Sequence, residues 1–193
     1  TGFVLQDVEL HDAALSMKYL TLTLPDLLRR ERSLLFTALL LFICGVASAF
    51  LLVQSHPRLV YLMYGEYQLQ ELTRGYQAEI ISLGRYQPRD LWHEVLFYFL
   101  NNSLVGLQLF LAGLLPVVGP LLLLLYGSLS LGSLMGHIYA SGLGAALWPA
   151  IIGHSALELF ATVLAASAGF RLGLWLLAGI RDRQITNPGT MFR

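Results

Sequence analysis

His154 and Glu158 are the pair whose types and spacing most invite chemistry. They stand four residues apart, so on a helix both project from one face. An imidazole beside a carboxylate can relay a proton, hold an ion or supply two ligands to zinc. Asn101 and Asn102 add amide donors and acceptors, and His137 adds a second imidazole. A metal site lacks a firm third ligand, and no His-Glu-x-x-His pattern occurs. Ser155 adjoins His154, but neighbours on a helix point about 100° apart, a poor nucleophile–base geometry. Phosphate loops and Gly-x-Ser-x-Gly elbows are absent from the sequence. A structural reading stands beside the chemical one: amide, imidazole and carboxyl groups can hydrogen-bond one another and lock a helix bundle.

The elements that must hold these groups are membrane helices. Of 193 residues 56% are hydrophobic and only 12% charged, against about 25% charged in an ordinary soluble domain. Residues 34–53 and 95–157 contain no Asp, Glu, Lys or Arg. About 20 apolar residues cross a hydrocarbon core, and hydrocarbon admits only helices or closed barrels. These runs are Leu-rich and continuous, not alternating, which predicts an all-α polytopic bundle of about four transmembrane helices plus amphipathic helices. Twelve basic and twelve acidic residues leave no basic cluster for nucleic acid. Cys44 is the single cysteine, which excludes disulfides and Cys-based metal sites. No cofactor is expected.

Along the chain, residues 1–33 read as an amphipathic segment in which Pro25 and Asp26 start a short helix. The first span covers 34–53. Residues 54–93 are polar, and Leu69, Leu72, Tyr76 and Ile80 fall at helical spacing opposite Gln68, Glu71 and Glu79. The resulting amphipathic helix lies on the membrane or packs on the other helices. Residues 94–180 hold three further spans and an interfacial segment. The second span runs from about Glu94 to Leu115, behind Trp92 at the interface. A turn at Pro116–Pro120 leads into the third, which ends near Ala140. Trp148 and Pro149 open the fourth span, expected to run to about Phe170 and to break near Gly169 or Gly173. Counting depth at about 1.5 Å per residue puts Asn101, Asn102 and His154 on one level, His137 shallower and Glu158 about 6 Å deeper. One buried polar cluster in the outer half of the membrane is the expectation.

Arg29, Arg30 and Arg32 precede the first span, and Arg171, Arg181 and Arg183 follow the fourth. Four crossings put both groups on one side, and the positive-inside rule makes that side, with the N-terminus and the 181–193 tail, cytoplasmic. Residues 54–93 are then external. Small residues recur every four positions as Ser128, Gly132, Gly136 and Ala140, and as Ala161, Ala165, Gly169 and Gly173. Such stripes let helices approach closely, within one chain or across a homodimer seam.

Phe99-Leu-Asn-Asn-Ser103, Gly113, Gly127, Gly132, Gly153-His-Ser-Ala-Leu-Glu-Leu159 and Ala165-Ala-Ser-Ala-Gly169 together resemble the stage II sporulation protein M family. The resemblance is specific at Asn101, Asn102, His154 and Glu158. It departs where the family has Pro and Gly around the histidine, since Gly153 and Ser155 stand there. It implies a multi-pass protein of the bacterial or archaeal cytoplasmic membrane. The sporulation member is a scaffold that places cell-wall-degrading partners, and some relatives are associated with an AAA-type ATPase. Pro188-Gly-Thr-Met-Phe-Arg193 resembles the stretch after which the family continues into another span, implying a truncated tail.

The combined expectation is a non-enzymatic scaffold in the bacterial inner membrane. It would form a homodimer and recruit membrane or cell-envelope proteins, an AAA-type ATPase among the partners the resemblance implies. The alternative is a transporter-like or channel-like protein in which Asn101, Asn102, His154 and Glu158 line an ion or proton pathway.

Overall fold

The computed structural model describes residues 19–82, 88–150 and 156–182, and among them there is no strand. Four helices are long and apolar enough to cross a membrane: Arg32–Ser55, Val95–Leu114, Val118–Leu143 and Glu158–Gly179. The expected all-α polytopic bundle is therefore the fold.

After a π-helical turn at Tyr19–Thr23, helix α1 (Leu24–Arg30) begins with Pro25 in its first turn and ends on Arg29 and Arg30. Asp26 and these arginines suit the positive N-terminal and negative C-terminal ends of the helix dipole. Helix α2 (Arg32–Ser55) is the first span, and a 3₁₀ turn at Pro57–Leu62 reverses the chain. Helix α3 (Glu66–Ser82) is the amphipathic helix. Its apolar side packs on the protein itself: Leu69 is buried and Leu72 and Tyr76 are half-buried, while Gln68 and Glu71 are exposed. The side chains of Glu79 and Ile80 lie outside the described set. Helix α4 (Pro88–Leu111) carries the second span, and a 3₁₀ turn at Ala112–Leu114 leads into α5 (Val118–Ile138). Val117, at φ 65°, is a β-branched residue in the left-handed region, a strained conformation that sharpens this turn.

The chain leaves α5 through a π-helical turn at Tyr139–Leu143, where Gly142 has φ 79°. One expectation is corrected beyond it. Trp148 and Pro149 lie in helix α6 (Gly144–Ala150), α7 (Ala156–Asp182) carries the fourth crossing, and residues 151–155 lie outside the described set. No break occurs near Gly169 or Gly173, because α7 is continuous to Asp182. Those glycines are buried against neighbouring backbone, so close packing holds the helix where glycine alone would weaken it.

Contacts at glycine set the topology. A Cβ added at Gly45 would strike Ser128, one at Gly132 the Val46 carbonyl, and one at Gly136 would lie 3.0 Å from the Phe50 carbonyl. Helices α2 and α5 therefore run parallel with backbones nearly touching. In the same way Gly106 faces Ala165, Gly169 meets Leu109 and Gly113, and Gly173 meets Pro116, so α4 and α7 are also parallel. The two pairs meet in one core of Ala38, Phe42, Leu109, Leu124, Val163, Ala166 and Phe170. A second cluster of Val53, Val60 and Leu69 seats the 3₁₀ turn and α3 on the bundle end.

Candidate functional site

The register of α4 against α7 decides where the polar residues stand. Continuing it outward from Gly106 and Ala165 brings Asn102 beside Ala161 and Thr162, about a turn further along the span than Glu158. The depth order expected for Asn101, Asn102 and Glu158 is thereby reversed. The physical reason is the stagger of the two helices: the contact of Gly106 with Ala165 fixes their relative level, which a residue count along either run does not.

Asn101 is exposed and Asn102 half-buried, and Asn101 Nδ2 donates to Asn102 Oδ1 at 3.4 Å. Glu158 is half-buried, and its main-chain carbonyl accepts from Thr162 Oγ1 at 2.9 Å. Among the described residues no hydrogen bond joins either asparagine to Glu158, and no three His, Cys, Asp or Glu side chains gather. His154 lies outside the described residues, as does its part in the expected cluster.

His137 belongs to a different site. Its Nε2 stands 3.4 Å from Thr73 Oγ1 on α3. Thr73 spends its hydroxyl proton on the Leu69 carbonyl at 2.7 Å, so His137 donates from Nε2. Both residues line an open pocket of about 320 Å³ with Glu66, Gln70 and Arg74. Arg74 also pairs with Glu71 on the helix surface at 2.8 Å.

Tyr64 and Leu69 hold the segment between the first two spans to the bundle and Gln54 ties the end of α2 to α5; helical spacing signalled Leu69 but neither polar contact. Tyr64 OH donates to the Ser130 carbonyl at 3.2 Å and accepts from Ser130 Oγ at 2.8 Å. Gln54 Nε2 donates to the Gly136 carbonyl at 2.7 Å, and Leu69 fills the second core cluster. Burial raises the Tyr64 pKa above its ordinary 10.0, only partly offset by the Ser130 hydrogen bond, and nearby Tyr126 adds to the rise.

At the opposite end, Arg171 Nε lies 3.2 Å from Glu31 Oε1. The approach is a charge contact without hydrogen-bond alignment, since that nitrogen has no hydrogen-bond partner. A signal for this pair did exist. Arg171 is the only basic residue between Glu158 and Ile180, Glu31 sits among the arginines before the first span, and four crossings put both at one boundary.

The small-residue stripes are used inside the chain. Ser128, Gly132, Gly136, Gly169 and Gly173 are buried and Ala165 is half-buried, at the α2–α5 and α4–α7 contacts. Ala140 and Ala161 are exposed.

These features define a polytopic helical membrane protein in which the segment between the first two spans is fastened to the bundle. The family model described as Stage II sporulation protein M matches residues 38–191, and the chain belongs to that family. No curated protein and no solved structure matches it.

Proposed function

We propose that this protein is a non-enzymatic, dimeric scaffold of the bacterial cytoplasmic membrane that recruits cell-envelope partners through its external face. The observation that carries this reading is the docked α3. Leu69 and Thr73 fasten its inner side to the bundle and Tyr64 fastens the turn before it, while Gln68, Gln70, Glu71, Arg74 and Gln77 are exposed. A polar helix held rigidly above the spans has already lost the freedom that binding would otherwise cost. The family supports the reading, and an AAA-type ATPase at the cytoplasmic end is a further partner of the same proposal.

A photoreactive residue at Gln70 or Gln77 tests it in cells, with Leu122 on the lipid side of α5 as control. The expected result is an adduct of one defined mass at the α3 positions and none at Leu122. Adducts equally abundant at Leu122, or none at any α3 position, would sink the external-recruitment reading.

A second reading, an ion or proton pathway, draws on one observation. Glu158 lies in a span, half-buried, with no side-chain partner among the described residues. Proteoliposomes with an imposed proton gradient separate the two: proton flux that Glu158→Gln abolishes supports transport, and vesicles as tight as protein-free ones refute it.

A further inference from the structure

Helix α4 stands apart from the other three spans. Only 6% of its span is buried in the bundle, against 28–33% for the others. Gly106, Leu109 and Gly113 face α7, and the opposite side carries Phe97, Asn101, Leu104, Gln108 and Leu111, all exposed. Their spacing alternates four and three, the repeat that keeps one seam of a helix against a partner helix.

Asn101 and Gln108 are out of place if lipid covers this side. Each lies six residues from an end of the span Val95–Leu114, about 9 Å deep at 1.5 Å per residue, where lipid tails offer no hydrogen bond. Asn101 has one long contact to its neighbour Asn102, and Gln108 makes no hydrogen bond among the described residues.

We infer that α4 is the homodimer interface, meeting α4 of a second copy along Phe97, Asn101, Leu104, Gln108 and Leu111. The inference rests on the dimeric reading above and names its surface. Two copies with one membrane orientation can be related only by a two-fold axis along the bilayer normal, so like residues meet at like depth. A carboxamide both donates and accepts, and is therefore its own complement: Asn101 pairs with Asn101 and Gln108 with Gln108. A different protein would need matching amides at both depths. The small-residue stripes cannot serve as the seam, because their glycines are buried within the chain.

The test begins by replacing the single cysteine, Cys44, with serine, then placing one cysteine at Leu104, or at Leu122 or Phe36 as equally exposed controls. Oxidation in native membranes should link Leu104→Cys into a species of twice the chain mass and leave both controls monomeric. In nanodiscs, Asn101→Leu with Gln108→Leu should weaken dimerisation at least tenfold, with the thermal midpoint of the monomer unchanged because both positions are exposed. Dimeric mass without a Leu104→Cys link, or with equal links at the controls, would overturn the α4 assignment and leave the dimer standing. Monomeric mass in nanodiscs would overturn both. A Leu104→Cys adduct to a chain of another mass would overturn the second-copy assignment.

Discussion

Tyr64 does more for the segment between the first two spans than its single ring suggests, because its hydroxyl both donates to and accepts from Ser130. Tyr64→Phe removes both bonds and leaves the Ser130 hydroxyl without this partner. The expected loss is about 1–2 kcal/mol, measured as a lower thermal midpoint and faster proteolysis within residues 57–82. Ser130→Ala should be milder, since Tyr64 can still donate to the Ser130 carbonyl. The raised pKa adds a pH dependence whose sign follows from linkage. The unfolded phenol ionises near 10 while the folded one stays protonated. The stabilisation is therefore whole below pH 10 and fades as pH climbs through the raised value. Tyr64→Phe should flatten that alkaline limb, and a limb of unchanged steepness would count against Tyr64 as its source.

Between elements, the α2–α5 contact is set by what is missing from Gly132. A methyl there would collide with the Val46 carbonyl, and a backbone atom cannot swing aside like a flexible side chain. Gly132→Ala is expected to destabilise by about 1–3 kcal/mol. Gly127→Ala lies on the same helix with nothing within 4 Å, and should be neutral or slightly stabilising because alanine is the better helix former. Thermal unfolding of the two variants side by side checks the pair. The glycine stripes were legible in the sequence because their four-residue period is a property of one helix. Which helix each stripe meets was not, since parallel pairing of the first span with the third joins residues far apart in the chain. The long charge-free runs located the spans, but the level of Glu158 relative to Asn102 depends on the stagger of α4 and α7, which Gly106 and Ala165 set across a long stretch of chain. Leu69, Leu72 and Tyr76 marked the inner side of α3 by period alone, whereas the Tyr64–Ser130 bonds follow no spacing rule.

At the scale of the molecule, the arginine-bearing ends of α1 and α7 share one boundary, marked by the Arg171–Glu31 contact, and α3 lies at the other. If that first boundary is cytoplasmic, Gln77→Cys in a Cys44→Ser background should react with a membrane-impermeant thiol reagent in intact cells. Arg30→Cys should react only after permeabilisation, and the opposite pattern would invert the topology. The parallel pairing of non-consecutive spans also imposes an order on biosynthesis. Gln54 on the first span waits for Gly136, 82 residues later. At about 5–20 residues per second, that delay is on the order of ten seconds. During it α2 and α4 sit in the bilayer without the helices that complete them. The nascent protein must therefore rely on the insertion machinery or on lipid to shelter Gly45 and Gly106 until their partners are made. Ribosome stalling before α5 would leave a half-built pair with both glycine faces open, a form suited to recognition by membrane proteases.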